Sequence, residues 1–216
     1  MPEKEEKKVT KKPAKKDDSI FKRIGRIIVK GSIFAYCKIV YKMKIIGTEN
    51  IPKSGGVIFC GNHRSYLDPP LIEVTCKRDN TRFIAKKELT ENKGLAFLGF
   101  IFNAILVSRD SKDIGALKET LKTLKVGGCV ALFPEGTRNG LAKGEKVKDG
   151  AAYFALNSDA VVIPVGIKGG SKAFDKVTVT YGKPLYFSEE KKNKKDKDTM
   201  DKVTKEIMDN IIELSK

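Results

Sequence analysis

The only histidine in the 216-residue chain, His63, closes the apolar run Val57-Ile58-Phe59-Cys60-Gly61 and is followed five positions later by Asp68. Imidazole is the one side chain whose unperturbed pKa falls between pH 5 and 8, so His63 is the first candidate for a general base. Where a strand ends in a turn and one helical turn follows, that spacing can fold the carboxylate back onto the ring. An acceptor on one ring nitrogen fixes the tautomer and leaves the other nitrogen to take a proton. Thirteen residues are Asp, which gives any His a chance of roughly 6% of such a partner, so the pair needs support from elsewhere. The plain alternative has Asn62 and Asp68 capping a helix, with His63 an ordinary turn residue.

Support comes from a second apolar run that empties into a charged turn, Leu132-Phe133-Pro134-Glu135-Gly136-Thr137-Arg138-Asn139-Gly140. Gly136 permits close backbone approach by a ligand, Arg138 offers a planar fork suited to phosphate, and Glu135 can accept a hydrogen bond from a hydroxyl. Alone, this piece reads equally as a Pro-Glu-Gly turn with a solvated arginine. Lys86 and Arg109 follow two further apolar runs, 82–85 and 104–108. Lys86, Arg109 and Arg138 are thus candidates to converge on one dianionic group beside His63, whereas Lys87 reads better as a solvated charge.

Placing these residues together requires strands that share an edge. From Val57 onward, short apolar runs alternate with longer helical patterns, the signature of an α/β fold with a mixed, largely parallel sheet flanked by helices. Strands are expected at 57–61, 82–85, 104–108, 129–133, 161–167 and 177–181, and helices at 68–77, 92–102, 110–125, 147–156 and 199–214. Met200, Val203, Ile207, Ile211 and Leu214 form one apolar stripe along the last helix. In a parallel sheet both polar turns leave the same edge, where α/β folds place their sites.

Lys and Arg number 43 against 27 Asp and Glu, a net charge of +16. Only +4 belongs to residues 1–16, so the folded body is itself basic and drawn to polyanions such as lipid headgroups, phosphorylated substrates or nucleic acid. No basic stripe with stacking aromatics marks a nucleic-acid module, so no nucleic acid is expected. Cys37, Cys60, Cys76 and Cys129 form no CxxC pair and read as reduced core residues, without disulfide or zinc. No metal-ligand cluster is visible, and no run is long and apolar enough to span a bilayer.

Residues 1–17 are charged and nearly devoid of apolar residues, as in a disordered tail. Residues 18–46 form an N-terminal amphipathic helical segment. Ile20, Ile24, Ile27 and Ile28 share one face, and Lys22, Arg23, Arg26 and Lys30 lie mostly around the other. Asp18 or Ser19 is a candidate cap, and Gly31 a candidate break into two helices. Such a helix fits a bilayer interface with its lysines on headgroup phosphates, or packs on the domain's own core. Residues 47–216 would be the main domain.

Four blocks in order make the chain resemble the 1-acyl-glycerol-3-phosphate acyltransferase family: Asn62-His63-Arg64-Ser65-Tyr66-Leu67-Asp68-Pro69; Lys86-Lys87-Glu88-Leu89 with Val107-Ser108-Arg109; Phe133-Pro134-Glu135-Gly136-Thr137-Arg138; and Val162-Ile163-Pro164-Val165-Gly166. The resemblance implies that His63 deprotonates a glycerol hydroxyl, which attacks a fatty acyl thioester, while Asp68 holds the imidazole. It implies that Arg109 and Arg138 grip the acceptor phosphate, that Glu135, Gly136 and Thr137 seat the glycerol, and that Pro164 supports the pocket. It further implies lysophosphatidate as acceptor, acyl carrier protein or coenzyme A thioester as donor, no bound cofactor, and a peripheral or monotopic position on an anionic membrane surface at its cytoplasmic face. A sister reaction on glycerol 3-phosphate or another lysolipid, and a non-catalytic basic protein binding lipid or nucleic acid, are the alternatives.

Overall fold

The computed structural model describes residues 20–79, 81–108, 113–170 and 174–216. The tail expected over 1–17, the caps expected at Asp18 or Ser19, and Arg109 lie outside the described residues.

Seven described strands, β1 (Lys44–Ile46), β2 (Val57–Gly61), β3 (Thr81–Lys86), β4 (Ile105–Val107), β5 (Cys129–Leu132), β6 (Val161–Gly169) and β7 (Val177–Tyr181), form one sheet in the order β1-β7-β6-β2-β5-β3-β4. Among them only β6 and β7 pair antiparallel. The architecture is the mixed, largely parallel α/β sheet that the alternating runs predict. Helices α1 (Ile20–Val40), α2 (Asp68–Thr75), α3 (Lys93–Ile101), α4 (Ile114–Lys125), α5 (Gly150–Leu156) and α6 (Lys197–Ser215) accompany it.

Helices on both faces explain why β2 is apolar throughout: every one of its residues is buried. Val57 and Phe59 enter a core with Cys37 of α1, Leu71 and Ile72 of α2, and Ile101 of α3. Ile58 and Cys60 point the other way, toward Ala116 of α4, Phe154 of α5 and Ile207 of α6. Along α6, Val203, Ile207 and Ile211 are fully buried, each contributing roughly 1.5–3 kcal/mol. The end of α6 can lie so close to the sheet because residue 166 is glycine, where a Cβ would come within 2.3 Å of the Leu214 backbone. All four cysteines are free and buried, and burial pushes their thiols up.

The N-terminal segment departs from expectation in three ways. Helix α1 runs unbroken through Gly31. Residues 44–46, expected as helix, instead form edge strand β1, parallel to β7 with Lys44 opposite Thr178; three residues are too few to show a period of two. Third, the cations of α1 do not all face outward. Arg26 is buried and donates from Nε to the Ile101 carbonyl (3.0 Å), Lys22 donates to Asn103 Oδ1 (2.5 Å), and Lys30 Nζ lies 3.1 Å from Glu73 Oε1 of α2. Val29, Ile33, Cys37 and Val40 pack on the core from the same side. The isoleucine face is left open: Ile20, Ile27 and Ile39 are 62%, 71% and 77% exposed. Among the described residues no helix is long and apolar enough to cross a membrane.

Candidate active site

Register brings the two polar turns together. Cys60 of β2 lies opposite Leu132 of β5, so the chain leaves both strands side by side at the carboxyl edge of the sheet. Phe83 of β3 lies opposite Ala131 of β5, which carries Lys86 to the same edge. Just past β2, the Asn62 side chain prolongs the sheet sideways: Oδ1 accepts from Ile167 N (2.7 Å) and Nδ2 donates to Ile167 O (2.9 Å). That clamp on β6, and no helix cap, is the task of Asn62.

His63 Nδ1 lies 3.0 Å from Asp68 Oδ2. The same oxygen accepts from the backbone N–H of Arg64 (2.5 Å) and Ser65 (2.6 Å), and Oδ1 accepts from the Ser65 hydroxyl (3.1 Å). All four partners donate, so the buried carboxyl acts purely as an acceptor. A neutral imidazole therefore carries its proton on Nδ1, and Nε2 is left as a base with no partner among the described residues. Phe133 stacks on the ring, with centroids 4.4 Å apart and planes at 23°. Hydrogen bond and stack together fix the ring, the preorganisation a general base needs.

Glu135 ties the two turns to each other. Its Oε1 accepts from His63 N (2.9 Å), its Oε2 accepts from Leu141 N (3.1 Å), and Asn139 N donates to His63 O (2.6 Å). At 5% exposure it does not line the cavity described below, so the side chain expected to seat glycerol is engaged in holding the histidine backbone. Pro164 is likewise absent from the lining. It sits within β6 opposite Cys60, buried, at the break between the β6–β7 ladder and an isolated bridge from Val162 to Leu185. The missing proline N–H falls where that ladder is interrupted.

A cavity of about 1020 Å³ opens in front of His63. Lys86, Gly136, Thr137 and Arg138 line it, and so do Tyr66 and Lys148. The Arg138 guanidinium lies over the Tyr66 ring, 3.9 Å from its centroid. Among the described residues, none of Lys86, Arg138 and Lys148 has an acidic partner. Gly136 has φ +70°, and a Cβ there would lie 3.1 Å from Cγ of Lys148, so its smallness serves that lysine. Thr137 Oγ1 is buried with no hydrogen-bond partner among the described residues. Much of the rest of the lining is apolar, with Phe83, Leu95, Leu98, Phe102 and Leu106 in it. A second cavity of about 470 Å³ lies behind, and Thr90, Gly99, Ala104 and Leu106 line both.

Sequence reasoning left Phe133 and Tyr66 without a role although both stand inside quoted blocks, and it passed over Lys148. Their place inside the two polar-turn blocks was the available signal, whereas their contacts with His63 and Arg138 are made in the fold. Nothing local marked Lys148, which lies ten residues past Arg138 in a lysine-rich loop.

Comparison with known proteins identifies a family. A family model described as Acyltransferase matches residues 42–168. The 1-acyl-sn-glycerol-3-phosphate acyltransferase of Bacillus subtilis is 28% identical over 149 residues, 67% of this chain and 74% of that protein. The enzyme of the same name from Borreliella burgdorferi is 31% identical over 137 residues, 62% of this chain and 54% of its own length. Among solved structures, the 1-acyl-sn-glycerophosphate acyltransferase of Thermotoga maritima superposes with a TM-score of 0.58 at 28% identity, covering 87% of this chain and 81% of that one. With the family model spanning more than half of its length, and with the histidine, aspartate and arginine of the motifs gathered at one sheet edge, the chain belongs to the Acyltransferase family of enzymes.

Proposed function

We propose that the chain transfers a fatty acyl group from a thioester, on acyl carrier protein or coenzyme A, to the free sn-2 hydroxyl of 1-acylglycerol 3-phosphate, giving phosphatidate. The observation that carries this reading is the Nδ1-anchored imidazole of His63, which lines one cavity together with Lys86, Arg138 and many apolar side chains. The acceptor is the one named for its relatives.

His63 Nε2 takes the proton of the acceptor hydroxyl as its oxygen attacks the thioester carbonyl. The Asp68 carboxylate, 3.0 Å from Nδ1, stabilises the imidazolium that forms. Collapse of the tetrahedral intermediate breaks the carbon–sulfur bond, and the imidazolium returns its proton to the departing thiolate. No acyl-enzyme intermediate is needed. Arg138, lying over the Tyr66 ring, and Lys86 meet the phosphate, and the apolar part of the lining takes hydrocarbon. Arg109 belongs to the same clamp by resemblance alone.

We place the chain peripherally at the cytoplasmic face of a membrane, and the open isoleucine face of α1 supports the membrane contact. Because three cations of α1 are turned to the protein, this contact is chiefly apolar.

His63→Ala tests the reaction. Purified variant and wild type are offered lysophosphatidate, glycerol 3-phosphate and each thioester, with the products separated chromatographically. Phosphatidate formation should vanish while the melting temperature holds. Retained turnover by the variant would sink the mechanism, and a preference for glycerol 3-phosphate would reassign the acceptor.

A further inference from the structure

We infer that Lys148 is a third phosphate-binding cation of the site, acting with Arg138 and Lys86. The inference rests on the acyl-transfer reading for the identity of the ligand, but not for the existence of the anion site.

Three observations converge on it. The backbone of Lys148 is fixed to the turn that carries Arg138, because Lys148 N donates to Pro134 O at 2.8 Å. Its side chain then runs back across Gly136, whose hypothetical Cβ would lie 3.1 Å from Cγ and 3.4 Å from Cε. Any larger residue at 136 would displace that stem. Finally, the lysine lines the same cavity as His63 and Arg138, and its ammonium meets no carboxylate among the described residues.

A flexible lysine on a surface is usually a solvated charge. Lys148 is exposed too, but its stem is laid along Gly136, a glycine in a left-handed conformation, which limits that stem on one side before any ligand arrives. Restriction lowers the entropy lost on binding an anion. Its neighbours in the cavity are of both signs, Glu145 being another lining residue, so the site is not a diffuse basic patch. What Lys86, Arg138 and Lys148 share is one cavity, bordered by cations from three chain segments. A phosphate monoester, with two charges and three terminal oxygens, suits that arrangement.

The monoester has two sources: the acceptor's headgroup, and the 3′-phosphate of a coenzyme A donor. Kinetics with Lys148→Met, which keeps the stem and removes the charge, and with Lys148→Arg, which keeps the charge, distinguish them. Loss of one charge-assisted contact predicts a rise of roughly tenfold in one KM. If KM rises for lysophosphatidate at fixed donor, the phosphate is the acceptor's; if it rises for the donor, the phosphate is the donor's. In either case Lys148→Arg recovers most of the loss and kcat moves less than KM. Calorimetry with glycerol 3-phosphate on wild type and Lys148→Met reads the cation without turnover and stays decisive if no lysolipid is acylated. Unchanged KM for both substrates together with equal glycerol 3-phosphate affinity would overturn the inference. So would equal damage from Met and Arg, which would show that only the shape of the stem counts.

Discussion

Replacing Asp68 by Asn isolates the charge of the orienting carboxylate from its hydrogen bonds. The side-chain oxygen of Asn can take the place of Oδ2, which accepts from His63 Nδ1, Arg64 N and Ser65 N, and the new amide can donate to the Ser65 hydroxyl at the other position. The fold should survive, with the same histidine tautomer. What disappears is a negative charge 3.0 Å from the imidazolium that forms during reaction. At that separation the attraction is about 1.4 kcal/mol in a water-like medium and about 5.5 kcal/mol at an effective dielectric constant of about 20. With side-chain exposures of 19% for His63 and 2% for Asp68, the site lies between these limits. A loss of about 2–4 kcal/mol translates to a fall in kcat of roughly 30- to 1000-fold. The assay is the initial rate of thiol release from the acyl thioester at saturating lysophosphatidate, with a thermal melt as control. A kcat within threefold of wild type and an unchanged melt would refute the role given to the carboxylate. Asp68→Ala is the poorer test, since it strands two backbone N–H groups at about 1–3 kcal/mol each and confuses chemistry with folding.

Tyr66→Ala should raise KM for lysophosphatidate by roughly three- to tenfold through loss of the stack under Arg138, whereas Tyr66→Phe keeps the ring and should match wild type; equal effects would tie Tyr66 to its hydroxyl instead. Glu73 is 1% exposed, and burial pushes its carboxyl up to about 7 despite the attraction of Lys30 and Arg26, with Asp79 adding to the rise. A raised acid binds its proton more tightly when folded, so this stabilisation is complete below about 4.5 and is lost as pH rises through about 7. Glu73→Gln should therefore gain on wild type by up to about 3 kcal/mol between pH 5 and pH 8 in urea unfolding, and a pH-independent difference would contradict that account. Ile24→Ser with Ile27→Ser should weaken sedimentation with phospholipid vesicles by tenfold or more, with little dependence on salt; binding abolished by salt would mean that the cations dominate the contact.

Much of the site is legible in the order of the amino acids. His63, Asp68 and Arg138 carry the chemistry by residue type, and apolar runs ending in polar turns place them at strand ends. A parallel sheet flanked by helices requires only that short apolar runs alternate with amphipathic ones, a pattern written in local order. Glu135, whose carboxylate could accept from a hydroxyl and which stands in a matching block, fastens the histidine backbone, and Pro164, expected to support the pocket, sits mid-strand beside Cys60. Block membership records sequence neighbours, while a pocket is lined by whichever side chains the sheet turns toward it.

The histidine and the lysine of the site show where the boundary lies. Sequence alone determined that His63 and Asp68 are five residues apart, a spacing one turn can close, so their contact is a local event. It also determined the amphipathic pattern of α1. Only the tertiary structure decided which face of that helix meets the protein, because Glu73 and the Ile101 carbonyl, distant in sequence, offer partners to its cations and leave the isoleucines outside. The same holds for Lys148, which reaches the site by crossing Gly136. Contacts within a turn follow from chain geometry; those between elements depend on register and packing, which single-residue chemistry does not encode.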